Sequence, residues 1–94
     1  MKIKLTHPGQ ILHQEFMQPL KISSYRLAKD ISVPLTRITN IVKGKRAISP
    51  ETALLLSAYF GMSERFFINL QAYYDMEIAK ENLGQIEVLP FEFA

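Results

Sequence analysis

Residues 23–46 read SSYRLAKDISVPLTRITNIVKGKR and hold two short amphipathic segments separated by a tight break. In the first segment Leu27, Ala28 and Ile31 fall on one helical face. Ala28 is small, which suits a close crossing between two helices. This pattern predicts a helix-turn-helix.

The second segment begins at Pro34, and proline is favoured in the first turn of a helix. Ile38, Ile41 and Val42 share one face of it, and Val33 is placed to fill the space beneath the turn. The other face mixes donors, acceptors and one apolar contact, as a surface that reads base edges in a major groove requires. The outward residues are Leu35, Thr36, Arg37, Thr39, Asn40 and Lys43.

Charge is distributed very unevenly along the chain. Residues 21–46 hold seven Lys or Arg and one acid, whereas residues 47–94 hold two bases and seven acids, so the overall charge of +2 hides two oppositely charged parts. A charge run is usually a solvated face, but here it coincides with the helix-turn-helix pattern. The sequence therefore predicts a cationic, nucleic-acid-binding end. Its flexible turn, suited to lie along phosphates, comprises Lys43, Gly44, Lys45 and Arg46.

The chain has 94 residues and no cysteine, which predicts one domain without disulfides or thiolate metal sites. His7 and His13, the only histidines, are six residues apart, which is not the spacing of a helical metal pair. We therefore expect a capping or surface role for them, no metal and no cofactor. No signal peptide or membrane span is recognisable, and we expect a cytoplasmic protein that does not bind membranes.

Serine, proline and glycine mark the ends of the helices. Ser23 or Ser24 is placed to cap the first helix of the motif, Ser49 to cap a helix that starts at Pro50, and Ser63 to cap the last helix. Stops are predicted at Pro19, Gly61 and Gly84.

The helices outside the motif also have apolar faces. They comprise Ile11, Leu12 and Phe16 in the first helix; Ala53, Leu54, Leu56 and Leu55 or Tyr59 in the fourth; and Phe66, Phe67, Leu70, Tyr73, Tyr74 and Ile78 in the last. The last stripe is wider than one core face needs, so we assign about two thirds of it to the core and the remainder to a protein interface, where aromatic residues are enriched.

Both ends of the chain leave alternatives open. Residues 1–6, MKIKLT, alternate apolar and basic residues and suit either a short strand or a basic arm. Residues 84–94 form an extended, partly apolar and acidic tail that could pack on its own domain, pair with a partner's strand or fray.

Several stretches together resemble the HigA-type antitoxins, a branch of the XRE/Cro-type helix-turn-helix regulators. They are HPGQIL near the start, YRLAKDISVPLTRITNIVKGKRAIS, and TALLLSAYFGMSERFFINLQAYYDMEIA, and they cover roughly residues 7–79. The resemblance implies an all-α, five-helix, lambda-repressor-like DNA-binding domain, with the tail 84–94 outside it. It also implies a dimer that neutralises a co-encoded, HigB-like, mRNA-cleaving toxin and represses the shared operon.

Carried over residue by residue, the resemblance places base contacts on the second helix of the motif and backbone contacts around it. The groove residues are Leu35, Thr36, Arg37, Thr39 and Asn40, and the backbone residues are Ser24, Tyr25, Lys43, Lys45 and Arg46. The chain departs from the broader pattern at Ser32, where glycine is common, and at Pro34, where a capping serine is common. A positive φ at Ser32 would cost on the order of 1 kcal/mol.

The acidic, aromatic-rich half is the predicted dimer surface, because two basic faces would repel each other and must stay free for DNA. Phe67, Tyr74 and Ile78, at i, i+7 and i+11 along the last helix, are the candidates.

Three other functions compete with an antitoxin and operon repressor. The first is a free-standing XRE-type regulator without a toxin. The second is an enzyme, but the carboxylates are scattered and no nucleophile elbow or phosphate loop is present in the sequence. The third, a pure protein-interaction module, would leave the cationic turn unexplained.

Overall fold

The structure, a computed structural model, describes residues 5–92, and within them the protein is all-helical. Helix α1 begins as an α-helical turn at Pro8–Ile11 and continues as a π-helical segment at Leu12–Met17. The other helices are α2 at Ser24–Asp30, α3 at Leu35–Val42, α4 at Pro50–Phe60 and α5 at Phe66–Leu83. The five-helix fold predicted from the sequence is confirmed, and none of these helices is long and apolar enough to cross a membrane.

Side-chain caps start two helices as predicted. The Ser23 hydroxyl accepts from the Arg26 amide at 3.0 Å, and the Ser49 hydroxyl accepts from the Thr52 amide at 3.3 Å. The predicted cap at Ser63 is wrong, because α5 begins at Phe66 after an extra turn and has no side-chain cap.

The core lies where all five helices meet. Its buried apolar residues are Leu12, Met17, Leu27, Ala28, Ile31, Ile38, Ile41, Ile48, Ala53, Leu56 and Phe67. The ring of Phe16 lies 5.1 Å from those of Phe60 and Phe67, joining α1 to α4 and α5 through tilted aromatic contacts. Leu54, assigned to the apolar face of α4, is instead 49% exposed.

The sequence His7-Pro8-Gly9 forms the junction between α1 and α3. His7 Nδ1 accepts a hydrogen bond from the Gly9 amide at 2.9 Å and so caps α1, which confirms the capping role predicted for this histidine. A side chain at Gly9 would overlap the carbonyl group of Ile41, so only glycine lets the backbone of α1 approach α3 this closely.

A buried amide fastens α5 to the segment between α3 and α4. Gln71 is almost fully buried, and its Oε1 accepts from the Ile48 amide at 2.8 Å while its Nε2 donates to Asp75 Oδ1 at 2.9 Å. Because an unpaired buried backbone amide is costly, this side chain stabilises the irregular segment that follows the motif.

The tail of the chain is exposed after α5 ends at Leu83. Gly84 adopts a φ of 64° and confirms the predicted helix stop. The described tail, residues 85–92, has no helix or strand, and Ile86, Val88 and Leu89 are exposed, so these three do not pack on the domain. The choice between a strand and an arm at residues 1–6 concerns mainly residues 1–4, which lie outside the described residues.

Candidate nucleic-acid interface

The turn of the motif takes the strained conformation that the sequence suggested. Ser32 has a φ of 59°, in the left-handed region where glycine is common. The turn is closed by the Val33 amide, which donates to the Ala28 carbonyl at 3.0 Å. Pro34 is the residue before α3 rather than its first helical residue, and as expected it supplies no side-chain cap.

Helix α3 is buried on one side and open on the other. Ile38 and Ile41 have no appreciable exposed surface, whereas Leu35 and Thr36 are exposed and Thr39 and Asn40 are half-buried. The helix thus presents its polar residues outward while the core holds its orientation.

Two of the predicted base-reading side chains are already constrained. The Thr39 hydroxyl donates to the Thr36 carbonyl at 3.2 Å, so its lone pairs remain to accept. Arg37 is half-buried, and its Nε is enclosed without a hydrogen-bond partner. A ligand contact would therefore have to come from the terminal amino groups of the guanidinium rather than from this enclosed Nε.

The basic turn begins where a glycine ends α3. Gly44 has a φ of 76°, its amide donates to the Ile41 carbonyl at 3.0 Å, and the Lys45 amide donates to the Asn40 carbonyl at 2.9 Å. Lys43, Lys45 and Arg46 are exposed. These hydrogen bonds hold the backbone at the start of the cationic turn.

Helix α2 carries the remaining candidates at its start. Ser24 is its first residue and half-buried, while Tyr25 is 67% exposed. The next residue, Arg26, is also exposed, and its Nε donates to Asp30 Oδ2 at 3.2 Å. Arg26 was not among the predicted site residues, although its i,i+4 spacing from Asp30 is typical of a helical ion pair.

A hydrogen bond between distant residues links this helix to α4. The Tyr59 hydroxyl donates to Asp30 Oδ2 at 2.6 Å. The hydrogen bond from Tyr59, followed by the contact with Arg26, lowers the pKa of the Asp30 carboxyl, and the same bond raises the pKa of Tyr59. Asp30 therefore stays ionised at neutral pH and connects the motif to the rest of the domain.

The three candidates for a dimer surface lie in different environments. Phe67 is fully buried in the core, so it has no surface to offer a second copy and its assignment is corrected. Tyr74 and Ile78 are half-buried, and the Tyr74 ring lies 5.0 Å from that of His7 in an edge-to-face contact. These two lie further along α5 on the same side as Phe67, where the domain covers them only in part.

Comparison with known proteins also identifies a helix-turn-helix domain in this chain. The helix-turn-helix family model matches residues 14–67. Virulence-associated protein I of Dichelobacter nodosus is 37% identical over 83 residues, covering 88% of this chain and 77% of that protein.

Two solved structures are similar over nearly the whole chain. The Pseudomonas aeruginosa antitoxin HigA, solved with the higBA promoter, has a TM-score of 0.88 and 34% identity and covers 95% of this chain and 100% of its own. A HigA-family addiction module antidote protein from Coxiella burnetii has a TM-score of 0.86 and 38% identity with the same coverage. The chain therefore belongs to the XRE-type helix-turn-helix family, in its HigA-type antitoxin branch.

Proposed function

We propose that this protein binds double-stranded operator DNA as a homodimer, represses its own operon and neutralises a HigB-like, mRNA-cleaving toxin in the cytoplasm. The observation that carries the proposal is the outward face of α3 followed directly by the exposed cations Lys43, Lys45 and Arg46. The likeness to a HigA antitoxin solved with its promoter supports operator binding.

Each part of the motif has a separate task in the proposed complex. The outer face of α3 contacts base edges and sets the sequence preference. The cationic turn and the start of α2 contact phosphates, release counterions and supply affinity for any sequence. The buried Ile38 and Ile41 fix the helix on the domain, so the base contacts need little reorganisation.

A second copy is needed because one helix in one groove discriminates weakly between sequences. A two-fold axis would place the two α3 helices about 34 Å apart, one turn of B-DNA, and the operator would be an inverted repeat with half-site centres about 10 base pairs apart. Tyr74 and Ile78 remain the candidates for the contact between copies.

The test of operator binding uses the full chain and the DNA upstream of its own gene. We expect a shifted complex with an inverted repeat there, and loss of the shift when one half-site is scrambled. Equal affinity for the repeat and for random DNA at the same salt concentration would contradict the repressor function.

The test of toxin neutralisation uses the protein encoded next to this gene. Expression of that neighbour alone should arrest growth, and co-expression of this chain should restore it. A free-standing XRE-type regulator is the alternative function, and it predicts operator binding without growth arrest or rescue.

A further inference from the structure

An open groove of about 430 Å³ lies between the start of the described chain and α5. Apolar atoms from Ile11 and Leu70 line it together with the exposed ring of Tyr73, and two carboxylates stand along α5. Its full lining is Leu5, Thr6, Ile11, Leu70, Tyr73, Glu77 and Glu81. None of these residues belongs to α2 or α3.

Among the described residues, the groove has more acidic than basic side chains. Glu77 and Glu81 line it, and the nearby cation Lys80 lies 3.5 Å from Glu77 in a largely solvent-exposed pair. This cation offsets one of the two carboxylate charges, so a net negative charge remains among the described residues of the groove. Residues 47–94, to which α5 belongs, hold seven acids and two bases. The described part of this surface therefore favours a cationic partner over nucleic acid.

Exposed apolar residues extend this surface along α5. Tyr73 is 63% exposed, Met76 60% and Leu83 69%. Tyrosine and methionine are enriched in protein interfaces, and a mixed apolar and acidic surface fits an apolar patch bordered by Lys or Arg. A second copy of the same groove would bring Glu77 and Glu81 close to their own counterparts, so like-charge repulsion disfavours a symmetric contact here.

We infer that this groove is the docking surface for the toxin, an inference that rests on the proposed antitoxin function. A toxin that binds and cleaves mRNA must carry cationic surface to hold phosphates, which supplies the charge complementary to Glu77 and Glu81. Because the groove shares no residue with α2 or α3, the toxin and the operator bind at the same time. The antitoxin then forms a ternary complex with toxin and DNA.

The experiment measures the affinity of the full-length protein for the purified product of the neighbouring gene by titration calorimetry. The test variant is Glu77→Lys/Glu81→Lys, and the matched control is Glu51→Lys/Glu64→Lys, which makes the same charge change in the acidic half but outside the groove. We expect the test variant to bind the toxin on the order of 30-fold more weakly, and the control to lose less than about threefold. Glu77→Gln/Glu81→Gln should fall between wild type and the reversal.

Further measurements separate docking from misfolding and from self-association. Circular dichroism and operator binding should be unchanged in the test variant, and sedimentation should show the oligomeric state of wild type. Tyr73→Ala, which keeps the charge, should weaken toxin binding while leaving operator binding intact. Adding toxin to the wild-type protein on operator DNA should give a slower-migrating complex rather than free DNA.

Three outcomes would overturn the docking surface. They are equal toxin affinity in the test and control variants, an altered oligomeric state in the test variant, and release of DNA by the toxin in direct competition for α2 and α3. If wild-type protein binds no neighbouring gene product, the proposed antitoxin function itself fails, whereas wild-type binding that survives Glu77→Lys/Glu81→Lys refutes only the groove.

Discussion

The helix-turn-helix and helix α5 use their exposed surfaces in opposite ways. Helix α3 has one fully buried apolar side and one polar side, and it leads into the cations Lys43, Lys45 and Arg46. Helix α5 has apolar residues around much of its circumference, and Tyr73, Met76 and Leu83 stay exposed among acids. The surfaces proposed for nucleic acid and for protein contacts are therefore separated on this small domain by charge and by the amount of apolar surface left uncovered.

The largest expected effect concerns the part of α5 that we propose holds two copies together. Tyr74→Asp/Ile78→Asp places charges on the half-buried side of α5 and should weaken self-association by about 3 kcal/mol, more than 100-fold. Sedimentation should then show a folded monomer without cooperative operator binding. Lys80→Asp, a charge change at an exposed position of the same helix, is the control and should remain dimeric. If the double variant stays dimeric, the dimer interface lies elsewhere, on α1 or the tail.

A substitution at the junction of α1 and α3 should have the next largest effect. Gly9→Ala would gain up to about 1 kcal/mol of helix propensity. The overlap of the new methyl group with the Ile41 carbonyl outweighs this gain, and we expect a net loss of about 2 to 3 kcal/mol in the free energy of unfolding.

The matched control for that substitution is Gly84, at the end of α5. Gly84→Ala also places a methyl group on a glycine, but nothing lies within 4 Å of it and the tail beyond is exposed. Its positive φ of 64° is strained for alanine, so urea denaturation should show a loss of about 1 kcal/mol from backbone conformation alone. Equal losses at the two glycines would mean that the close approach of α1 to α3 contributes nothing.

These cases show which parts of the structure could be predicted from local sequence signals. The Ser23 and Ser49 caps, the stop at Gly61 and the strained turn at Ser32 depend on residues next to one another, and the sequence predicted them. The packing of Gly9 against Ile41 depends on two helices brought together by the fold. No local pattern contains that information.

The misassignment of Phe67 and the contacts that were not predicted have the same origin. Phe67 was assigned to a dimer surface because α5 is apolar on several sides, and periodicity does not say which side the rest of the domain covers. The hydrogen bond from the Ile48 amide to Gln71 spans 23 positions of the sequence, and the hydrogen bond from Tyr59 to Asp30 spans 29. The base-reading and phosphate-binding residues were predicted from the sequence pattern together with the family resemblance, and their roles remain predictions.

Substitutions on the outer face of α3 should affect specific binding only. Arg37→Ala and Asn40→Ala should each weaken operator binding by about 1 to 3 kcal/mol while barely changing the affinity for random DNA, because a base contact carries sequence information and a phosphate contact does not. Competition titrations with both DNAs at one salt concentration measure the difference. Equal losses on both would show that these side chains touch only the DNA backbone.

Charge reversal in the cationic turn should affect every DNA sequence alike. Lys45→Glu/Arg46→Glu should lower the dependence of log affinity on log salt concentration by roughly 0.9 for each phosphate that the variant no longer neutralises. Lys80→Glu, in the acidic half, is the control and should leave the slope unchanged. A slope that survives reversal of both residues would remove the turn from the DNA interface.

The smallest expected effect is a dependence of stability on pH from the histidine that joins the two regions. His7 caps α1 through Nδ1, packs against Tyr74 of α5 and lies beside Gly44 at the end of α3. Burial lowers its pKa from the ordinary value of 6.5, and the charge of Asp75 offsets this in part. A proton on Nδ1 would also remove the acceptor for the Gly9 amide.

The unfolded chain therefore takes up this proton at a higher pH than the folded protein does. The contribution of neutral His7 is fully present above about pH 6.5 and is lost as the pH falls below that value toward the lowered pKa of the folded state. Urea unfolding at pH 7.5 and pH 5.0 should differ by up to about 1 kcal/mol from this residue, the usual contribution of an N-cap. His7→Asn keeps an uncharged acceptor and should flatten this dependence. If His7→Asn keeps the wild-type dependence on pH, the cap does not titrate in this range and another group is responsible.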